Sequence, residues 1–224
     1  MVIKNNINTL LAELQGTDCR LIAVSKTQPV SLIQEAYAAG QRIFGENKAQ
    51  EMAAKQQELP ADIEWHMIGH MQTNKVKYIA PFVALIHSVD SVKLLDEINK
   101  QGLRHNRKIK CLLQVYIARE ETKFGLDKAE VLDLLNTDLA TTYPAVEIVG
   151  LMGMATFTQN QDQIREEFGQ LKKLFDTLKQ STLPANVSMT ELSMGMSADY
   201  KIALSCGSTL VRIGTAIFGE RNYH

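Results

Sequence analysis

Lys26 lies at a position where its side-chain amine could react as a nucleophile. It follows Leu21-Ile22-Ala23-Val24-Ser25, a short and largely apolar run that is typical of a buried strand. Burial disfavours the ammonium form, which lowers the pKa of a lysine and frees a neutral amine to attack carbonyl groups. By position alone, the simpler interpretation is a lysine at a strand end that reaches water, so both interpretations stay open at this point.

Two later segments carry small and polar residues that suit an anion. Ser197 follows an apolar run and precedes a predicted helix, where it can cap the first turn beside exposed N–H groups. Gly214 and Thr215 follow the last apolar run, and such small residues let the backbone approach a ligand. These features predict a phosphate site, with two ordinary strand-to-helix turns as the alternative.

His66 and His70 are spaced four apart, which on a helix would suit a metal ion. The local pattern indicates a strand and a loop, so the two rings would not share a helical face, and no third ligand is evident. We therefore expect no metal site. No Ser-His-Asp or Cys-His arrangement can be read from the spacing of the chain.

Eight short apolar runs alternate with amphipathic stretches along the chain. They cover residues 21–26, 42–45, 65–69, 85–89, 111–116, 147–152, 191–194 and 210–214. Nearly continuous apolar character is typical of parallel strands buried on both faces. Eight strand–helix repeats predict a single (β/α)8 TIM barrel over residues 1–224, with its site at the carboxyl ends of the strands. A doubly wound dinucleotide fold is disfavoured, because no G-x-G-x-x-G follows the first run.

The amphipathic stretches predict the helices. The clearest apolar stripe has helical spacing: Ile164, Phe168, Leu171, Leu174, Phe175 and Leu178. Residues 30–39 form a second helix, and Ser91 can cap a third that Gly102 can end. An extra amphipathic helix over residues 3–14 precedes the first strand and could close the bottom of the barrel.

Composition narrows the class of protein. Hydrophobic residues make up 45% of the 224 residues and charged residues 22%, as in soluble globular proteins. The net charge of −1 gives no global field for nucleic acid or an anionic membrane, so neither is expected as a partner. Three separated cysteines favour reduced thiols in a cytoplasmic protein. We find no signal-peptide pattern and no apolar stretch of the ~20 residues that a membrane span needs.

Six segments carry a family resemblance. They are AVSKT (23–27), FGENKAQE (44–51), WHMIGHMQTNK (65–75), GLMGMA (150–155), LSMGMSAD (192–199) and VRIGTAIFG (211–219). In this order they resemble the signatures of the pyridoxal 5′-phosphate (PLP) homeostasis proteins. That family is similar to the barrel domain of alanine racemase, a PLP protein of fold type III. The resemblance implies PLP as cofactor.

The resemblance also implies a set of roles near the reactive end of the cofactor. Lys26 holds PLP as an imine, or Schiff base. Asn47 lies near this lysine, and Met154 stands where the racemase barrel places a histidine against the ring. Lys123 approaches the phenolic oxygen.

Further roles are implied at the phosphate and at the ring nitrogen. Ser197, Gly214 and Thr215 hold the phosphate, and Arg212 faces the pyridine nitrogen. A guanidinium stays protonated, so it donates to this nitrogen and leaves it without a proton. A neutral pyridine is a weaker electron sink than a pyridinium, which mutes carbanion chemistry.

The resemblance therefore favours a PLP carrier over an enzyme. Alanine racemase needs a second acid/base, a tyrosine from a separate C-terminal β-domain, and this sequence ends at His224, a few residues after the last strand. We predict a monomeric PLP-binding and delivery protein without robust turnover, with apo PLP-dependent enzymes as recipients and no catalytic residue. Two alternatives stay open: a small amino-acid racemase that uses Lys26 and water, and a Schiff-base aldolase for sugar phosphates.

Overall fold

Eight parallel strands form one closed barrel in a computed structural model that describes residues 2–119 and 124–220. The strands follow one another around the barrel, and β8 closes it by pairing with β1. They are β1 (Arg20–Val24), β2 (Ile43–Glu46), β3 (Glu64–Met67), β4 (Leu85–Val89), β5 (Ile109–Gln114), β6 (Val146–Met152), β7 (Val187–Met196) and β8 (Leu210–Ile213). The predicted TIM barrel is confirmed, and each predicted strand overlaps an observed one.

Helices surround the barrel. Within the described residues they are α1 (Val2–Leu14), α2 (Val30–Ala38), α3 (Ala49–Glu58), α4 (Val76–Ile79), α5 (Val92–Arg104), α6 (Lys128–Leu135), α7 (Leu139–Thr142), α8 (Gln161–Lys179), α9 (Tyr200–Ser205) and α10 (Thr215–Phe218). The predicted stripe of α8 is buried from Ile164 to Leu178. The sequence pattern therefore identifies both this helix and the face that it buries.

The third predicted helix, α5, begins as expected but ends later. The Ser91 hydroxyl accepts a hydrogen bond from the Leu94 amide at 3.3 Å, so the predicted cap is present. The helix continues past Gly102 to Arg104, and the prediction that Gly102 ends it is wrong. A Cβ at Gly102 would lie 2.9 Å from the Ala145 side chain, so this glycine permits close packing against the segment before β6.

The N-terminal helix packs on the side of the barrel. Its buried residues are Ile3, Ile7, Leu10 and Leu14, and it contacts α2, α10 and β1. The Asn6 side chain donates to the Ile217 carbonyl in α10 at 2.9 Å. The helix thus lies in the outer layer between α2 and α10, and the expectation that it closes the bottom of the barrel is wrong.

The core has two layers. A large apolar cluster fills the space between the strands and the helices. A smaller cluster joins side chains from five strands, which can meet only inside the barrel: Ile22, Leu85, Leu112, Val149, Met152 and Leu210. The interior is therefore packed and supports the residues above it at the carboxyl ends of the strands.

Gly150 in β6 is a position where we expect a large loss of stability on substitution. Its φ is +156°, and a Cβ there would lie only 1.8 Å from the Glu191 carbonyl oxygen of the neighbouring β7. We expect Gly150→Ala to lower the free energy of unfolding by about 3 kcal/mol or more, because the backbone of two paired strands must move. Urea denaturation of the purified protein measures this change.

Gly169→Ala is the matched control for that substitution. Gly169 is exposed in α8, and nothing lies within 4 Å of the position that a Cβ would take there. Alanine favours a helix interior over glycine by up to ~1 kcal/mol, so this variant should be slightly more stable than the wild type. Equal effects of the two substitutions would contradict the packing described for Gly150.

Candidate functional site

A cavity of about 650 Å³ opens at the carboxyl ends of the strands. All seven predicted site residues line it: Lys26, Asn47, Met154, Ser197, Arg212, Gly214 and Thr215. Lys123, which the resemblance also places near PLP, lies outside the described residues. The cavity extends from Arg212, which is 4% exposed, to Phe157, which is 88% exposed. It therefore connects the barrel interior with the surface.

Lys26 stands directly after β1 at one side of this cavity. The strand before it is buried on both faces, and Ser25 is fully buried, whereas Lys26 itself is half-buried. The chain turns sharply behind it, because the Gln28 amide donates to the Ser25 carbonyl at 3.0 Å. The end of a buried strand followed by a tight turn thus presents the lysine to the cavity.

The turns after β7 and β8 meet at another side of the cavity. The Gly214 amide donates to the Ser197 hydroxyl at 3.4 Å, which links the two segments. A Cβ at Gly214 would lie 3.2 Å from the Val24 carbonyl oxygen, so glycine lets this turn approach β1 closely. The two segments whose residues suit an anion are therefore neighbours, with a hydroxyl and small residues facing one space.

Ser197 does not cap the following helix, and that prediction is wrong. Strand β7 continues to Met196, and Asp199 occupies the position before α9. The Asp199 carboxylate accepts a hydrogen bond from the Met196 amide within the turn. Because Asp199 closes the turn, the Ser197 hydroxyl is directed to Gly214 instead.

Arg212 is a buried cation at the base of the cavity. Its guanidinium donates to the Ser193 hydroxyl and, at 3.2 Å, to the Gly153 carbonyl. Burial lowers the pKa of Arg212 to about 10, and the negative charge of Asp199 opposes this change. The guanidinium therefore keeps its positive charge at neutral pH while both of these hydrogen-bond partners are uncharged.

Two buried histidines extend the contacts of Arg212 across the barrel interior. The Ser193 hydroxyl lies 2.9 Å from His87 Nδ1, and His87 Nε2 lies 3.0 Å from His66 Nδ1. Arg212 can only donate, so the arrangement that satisfies every group has Ser193 donating to His87 and His87 donating to His66. We call Arg212, Ser193, His87 and His66 the interior relay.

Both histidines of the interior relay are neutral at physiological pH. Burial lowers the pKa of His66 to about 3, with a smaller contribution from Arg20. Burial also holds the pKa of His87 well below its ordinary value, and the neighbouring His66 and Arg212 act in the same direction. A neutral imidazole has one nitrogen that donates and one that accepts, so His87 can donate to His66. Two imidazolium ions could not form this bond, because both of their nitrogens are donors.

Sequence spacing misses this relay because it pairs His66 with His70. In the structure His70 is exposed, lies 3.0 Å from an Asp90 oxygen and stacks on Phe124. His66 and His87 occupy interior positions on adjacent strands, and strand alternation could have placed both inside the barrel. Across residues 2–119 and 124–220, no three His, Cys, Asp or Glu side chains are grouped as metal ligands.

The neutral histidines predict an acid-sensitive fold. In the unfolded chain His66 has the ordinary histidine pKa near 6.5, whereas in the folded protein its pKa is about 3. Between these two pH values the unfolded chain binds a proton that the folded protein does not bind. The free energy of unfolding therefore falls as the pH drops from about 6.5 towards 3. At pH 4.5, two units below 6.5, His66 accounts for roughly 3 kcal/mol of lost stability. We expect His66→Gln to lose correspondingly less stability than the wild type between pH 7 and 4.5 in urea denaturation.

His105→Gln provides the control, because His105 is exposed at the end of α5. Its loss of stability between the two pH values should equal that of the wild type. If His66→Gln also loses as much as the wild type, His66 is not a buried neutral group.

No helix in the described part of the chain combines the length and the apolar character that crossing a bilayer requires.

Cys19, Cys111 and Cys206 are free thiols. Burial raises the pKa of the Cys19 thiol to about 11, so this group is protonated and unreactive at neutral pH.

Comparison with known proteins identifies relatives over nearly the full chain. Residues 2–222 match the family described as the alanine racemase N-terminal domain. The pyridoxal phosphate homeostasis protein of Aquifex aeolicus is 41% identical over 211 residues, which cover 93% of this chain and 90% of that protein.

Solved structures give the same assignment. PipY of Synechococcus elongatus, solved without PLP, is 37% identical with a TM-score of 0.89, over 97% of this chain and all of that one. Its structure with PLP bound has a TM-score of 0.84 at 36% identity and the same coverage. Alanine racemase of Bartonella henselae shares the fold at 18% identity and a TM-score of 0.72, over 98% of this chain and 58% of that one. The barrel, the order of its motifs and these relatives lead to one conclusion: this chain belongs to the alanine racemase N-terminal domain family, among the pyridoxal phosphate homeostasis proteins.

Proposed function

We propose that the chain binds PLP in the cavity, holds it as a Schiff base on Lys26 and keeps it available to other proteins of the cytoplasm. The observation that carries the proposal is the convergence on one space of an amine, a buried cation and two adjoining turns with small and polar residues. The relative PipY, which shares over a third of its residues with this chain, has been solved with PLP bound. The free thiols support a reducing compartment.

The residues of the cavity fit this cofactor. A space of about 650 Å³ is within the ordinary range for small-molecule sites. Val24, Ile68 and Met154 provide apolar walls for a flat ring, and Ser197 with Gly214 provides the hydroxyl and the close backbone that a phosphate needs. When bound, PLP supplies an aldehyde and an electron-withdrawing ring.

Each polar residue then has a defined task. Lys26 binds the aldehyde carbon, Arg212 donates to the ring nitrogen, and Thr215 joins Ser197 and Gly214 around the phosphate. Asn47 stands beside the lysine and Met154 packs against the ring. Because Arg212 keeps its proton, the ring nitrogen stays unprotonated and the ring is a weak electron sink.

The ionisable groups around the cavity favour holding PLP over catalytic turnover. Among the described residues that line it, these groups are Lys26, Asp199 and Arg212. Asp199 is buried and already accepts a hydrogen bond from its own turn, so it is committed to structure. Proton transfer on both faces of a substrate needs a second base, and no described side chain of the cavity offers one.

Exchange of the α-proton of an amino acid tests the absence of turnover. The purified PLP-loaded protein is incubated with L-alanine in D2O, and deuterium incorporation is followed by NMR against free PLP at the same concentration. We expect exchange no faster than with free PLP. Exchange well above that level, lost in Lys26→Ala, would favour the racemase-like alternative.

Delivery is tested by transfer to an apo PLP-dependent enzyme. The cavity reaches the surface beside the exposed Phe157 and Met196, which leaves a path for release from a monomer. We expect the loaded protein to restore activity to the apo-enzyme in the presence of a scavenger of free PLP. Recovery that the scavenger abolishes would contradict direct delivery, and size-exclusion chromatography measures whether the carrier is monomeric.

A further inference from the structure

A buried cluster of charges lies directly behind Lys26. Lys55 of α3 is only 6% exposed, and its ammonium donates to the Ser25 carbonyl at 2.8 Å, to Glu46 at 2.8 Å and to Glu51 at 2.7 Å. The Ser25 hydroxyl donates to the same Glu46 oxygen at 2.7 Å. We call Lys55, Glu46, Glu51 and Ser25 the Lys55 cluster.

The Lys55 cluster holds the main chain on both sides of Lys26. Before the lysine, it binds the carbonyl and the hydroxyl of Ser25. After the lysine, the Thr27 amide donates to the Glu51 carboxylate at 2.6 Å. The backbone is therefore fixed at both neighbours of Lys26 by Lys55 and Glu51 of α3, and Glu46 of β2 holds the Ser25 side chain.

The conformation of Thr27 shows that this segment needs outside support. Its φ is +64°, in the left-handed region that a β-branched residue rarely adopts. Such a conformation persists only where surrounding contacts hold it, and it is found mainly at functional sites. The bond from Thr27 to Glu51 is a contact of this kind.

Stability alone does not account for the cluster. The free-energy cost of removing the charges of a lysine and a glutamate from water offsets most of their mutual attraction. A buried ion pair is therefore weak evidence that the pair stabilises the fold. One Glu46 oxygen has no hydrogen-bond partner among the described residues, and burial raises the pKa of Glu46 despite the opposing charge of Lys55. The cluster thus places buried charge at the point where the chain turns to present Lys26.

We propose that Lys55 and Glu51, supported by Glu46, are positioning residues that aim the Lys26 amine at the aldehyde carbon of PLP. The inference rests on the proposed function. In the reaction, Lys26 Nζ forms a bond to the aldehyde carbon, the carbon–oxygen bond breaks, and the oxygen leaves as water with the two amine protons. No residue of the Lys55 cluster lines the cavity proposed to hold the ring and the phosphate, so the cluster should affect this step and leave the non-covalent contacts alone.

Two variants and two measurements test the proposal. Lys55→Met removes the three donors, and Glu51→Ala removes the acceptor of Thr27 while keeping the buried Lys55–Glu46 pair, so it carries the test if Lys55→Met does not fold. Stopped-flow absorbance gives the rate of Schiff-base formation with PLP. Calorimetry gives the affinity for pyridoxine 5′-phosphate, which has an alcohol in place of the aldehyde and cannot form the bond.

We expect both variants to form the Schiff base roughly 10- to 100-fold more slowly, as for a misplaced reacting group. Their affinity for pyridoxine 5′-phosphate should stay within about twofold of the wild type, since its contacts are unchanged. Lys100→Met, which breaks an exposed lysine–glutamate pair on α5, should match the wild type in both measurements.

Other outcomes overturn the inference. Unchanged rates in the variants would mean that the cluster does not position Lys26. A parallel loss of rate and of pyridoxine 5′-phosphate affinity would assign the cluster a structural role only. A wild-type protein that forms no Schiff base at all would instead overturn the proposed function, which is a separate and recognisable result.

Discussion

Replacing Lys26 by alanine should leave a folded barrel that forms no covalent bond with PLP. Lys26 is the one amine among the described residues that line the cavity, so no neighbouring lysine there can replace it. We expect the affinity for PLP to fall by roughly 100-fold or more, or about 3 kcal/mol, because only the phosphate and ring contacts remain. Equilibrium dialysis gives the affinity, and the absorbance of the Schiff base should be absent.

Lys48→Ala is the control for this experiment. Lys48 is exposed beside Asn47, and its removal leaves the cavity lining unchanged. It should bind PLP as the wild type does. A Lys26→Ala protein that keeps the wild-type absorbance and affinity would place the Schiff base on another lysine.

Replacing Arg212 by methionine should weaken PLP binding by roughly 10- to 100-fold, since a hydrogen bond from a charged group contributes about 1.5–3 kcal/mol. The ring nitrogen loses its donor, and the Gly153 carbonyl and Ser193 lose the guanidinium that they contact. Arg212→Lys keeps the positive charge but lacks the planar set of donors of a guanidinium. Its affinity for PLP should therefore lie between those of the wild type and Arg212→Met. Calorimetric titration with PLP measures all three proteins.

Arg42→Met is the matched substitution for Arg212→Met. Arg42 lies on the outside of the barrel, over the Tyr37 ring and beside Asp62, away from the cavity. Its replacement should leave PLP binding unchanged. Equal affinity of Arg212→Met and the wild type would contradict the placement of Arg212 at the ring nitrogen.

The barrel and the members of its cavity are accessible from the sequence because both follow from local pattern. Apolar runs such as residues 85–89 predict buried strands, and a parallel barrel brings the carboxyl ends of its strands together. Lys26 and Gly214, at opposite ends of the chain, are therefore expected at one site from the strand pattern alone. Their contacts with PLP stay predictions.

The interior relay and the Lys55 cluster are not accessible in this way, because long-range side-chain pairs leave no periodic signal. His87 and Ser193 are 106 residues apart in sequence, and Lys55 reaches a carbonyl 30 residues away. Lys55 also lies on a mostly polar helix, where a lysine is expected to face water. The two wrong predictions of helix ends, that Gly102 ends α5 and that Ser197 caps α9, have the same cause. Contacts with residues distant in sequence decide where each helix ends or begins.

The most direct test of the central claim is mass spectrometry of the PLP-loaded protein after reduction with borohydride. Reduction fixes a Schiff base as a stable amine, and digestion then locates the modified residue. We predict a single pyridoxyl-phosphate adduct on the peptide that contains Lys26, together with loss of the Schiff-base absorbance. The absence of any adduct after PLP has been supplied, or an adduct confined to other lysines, would contradict the account.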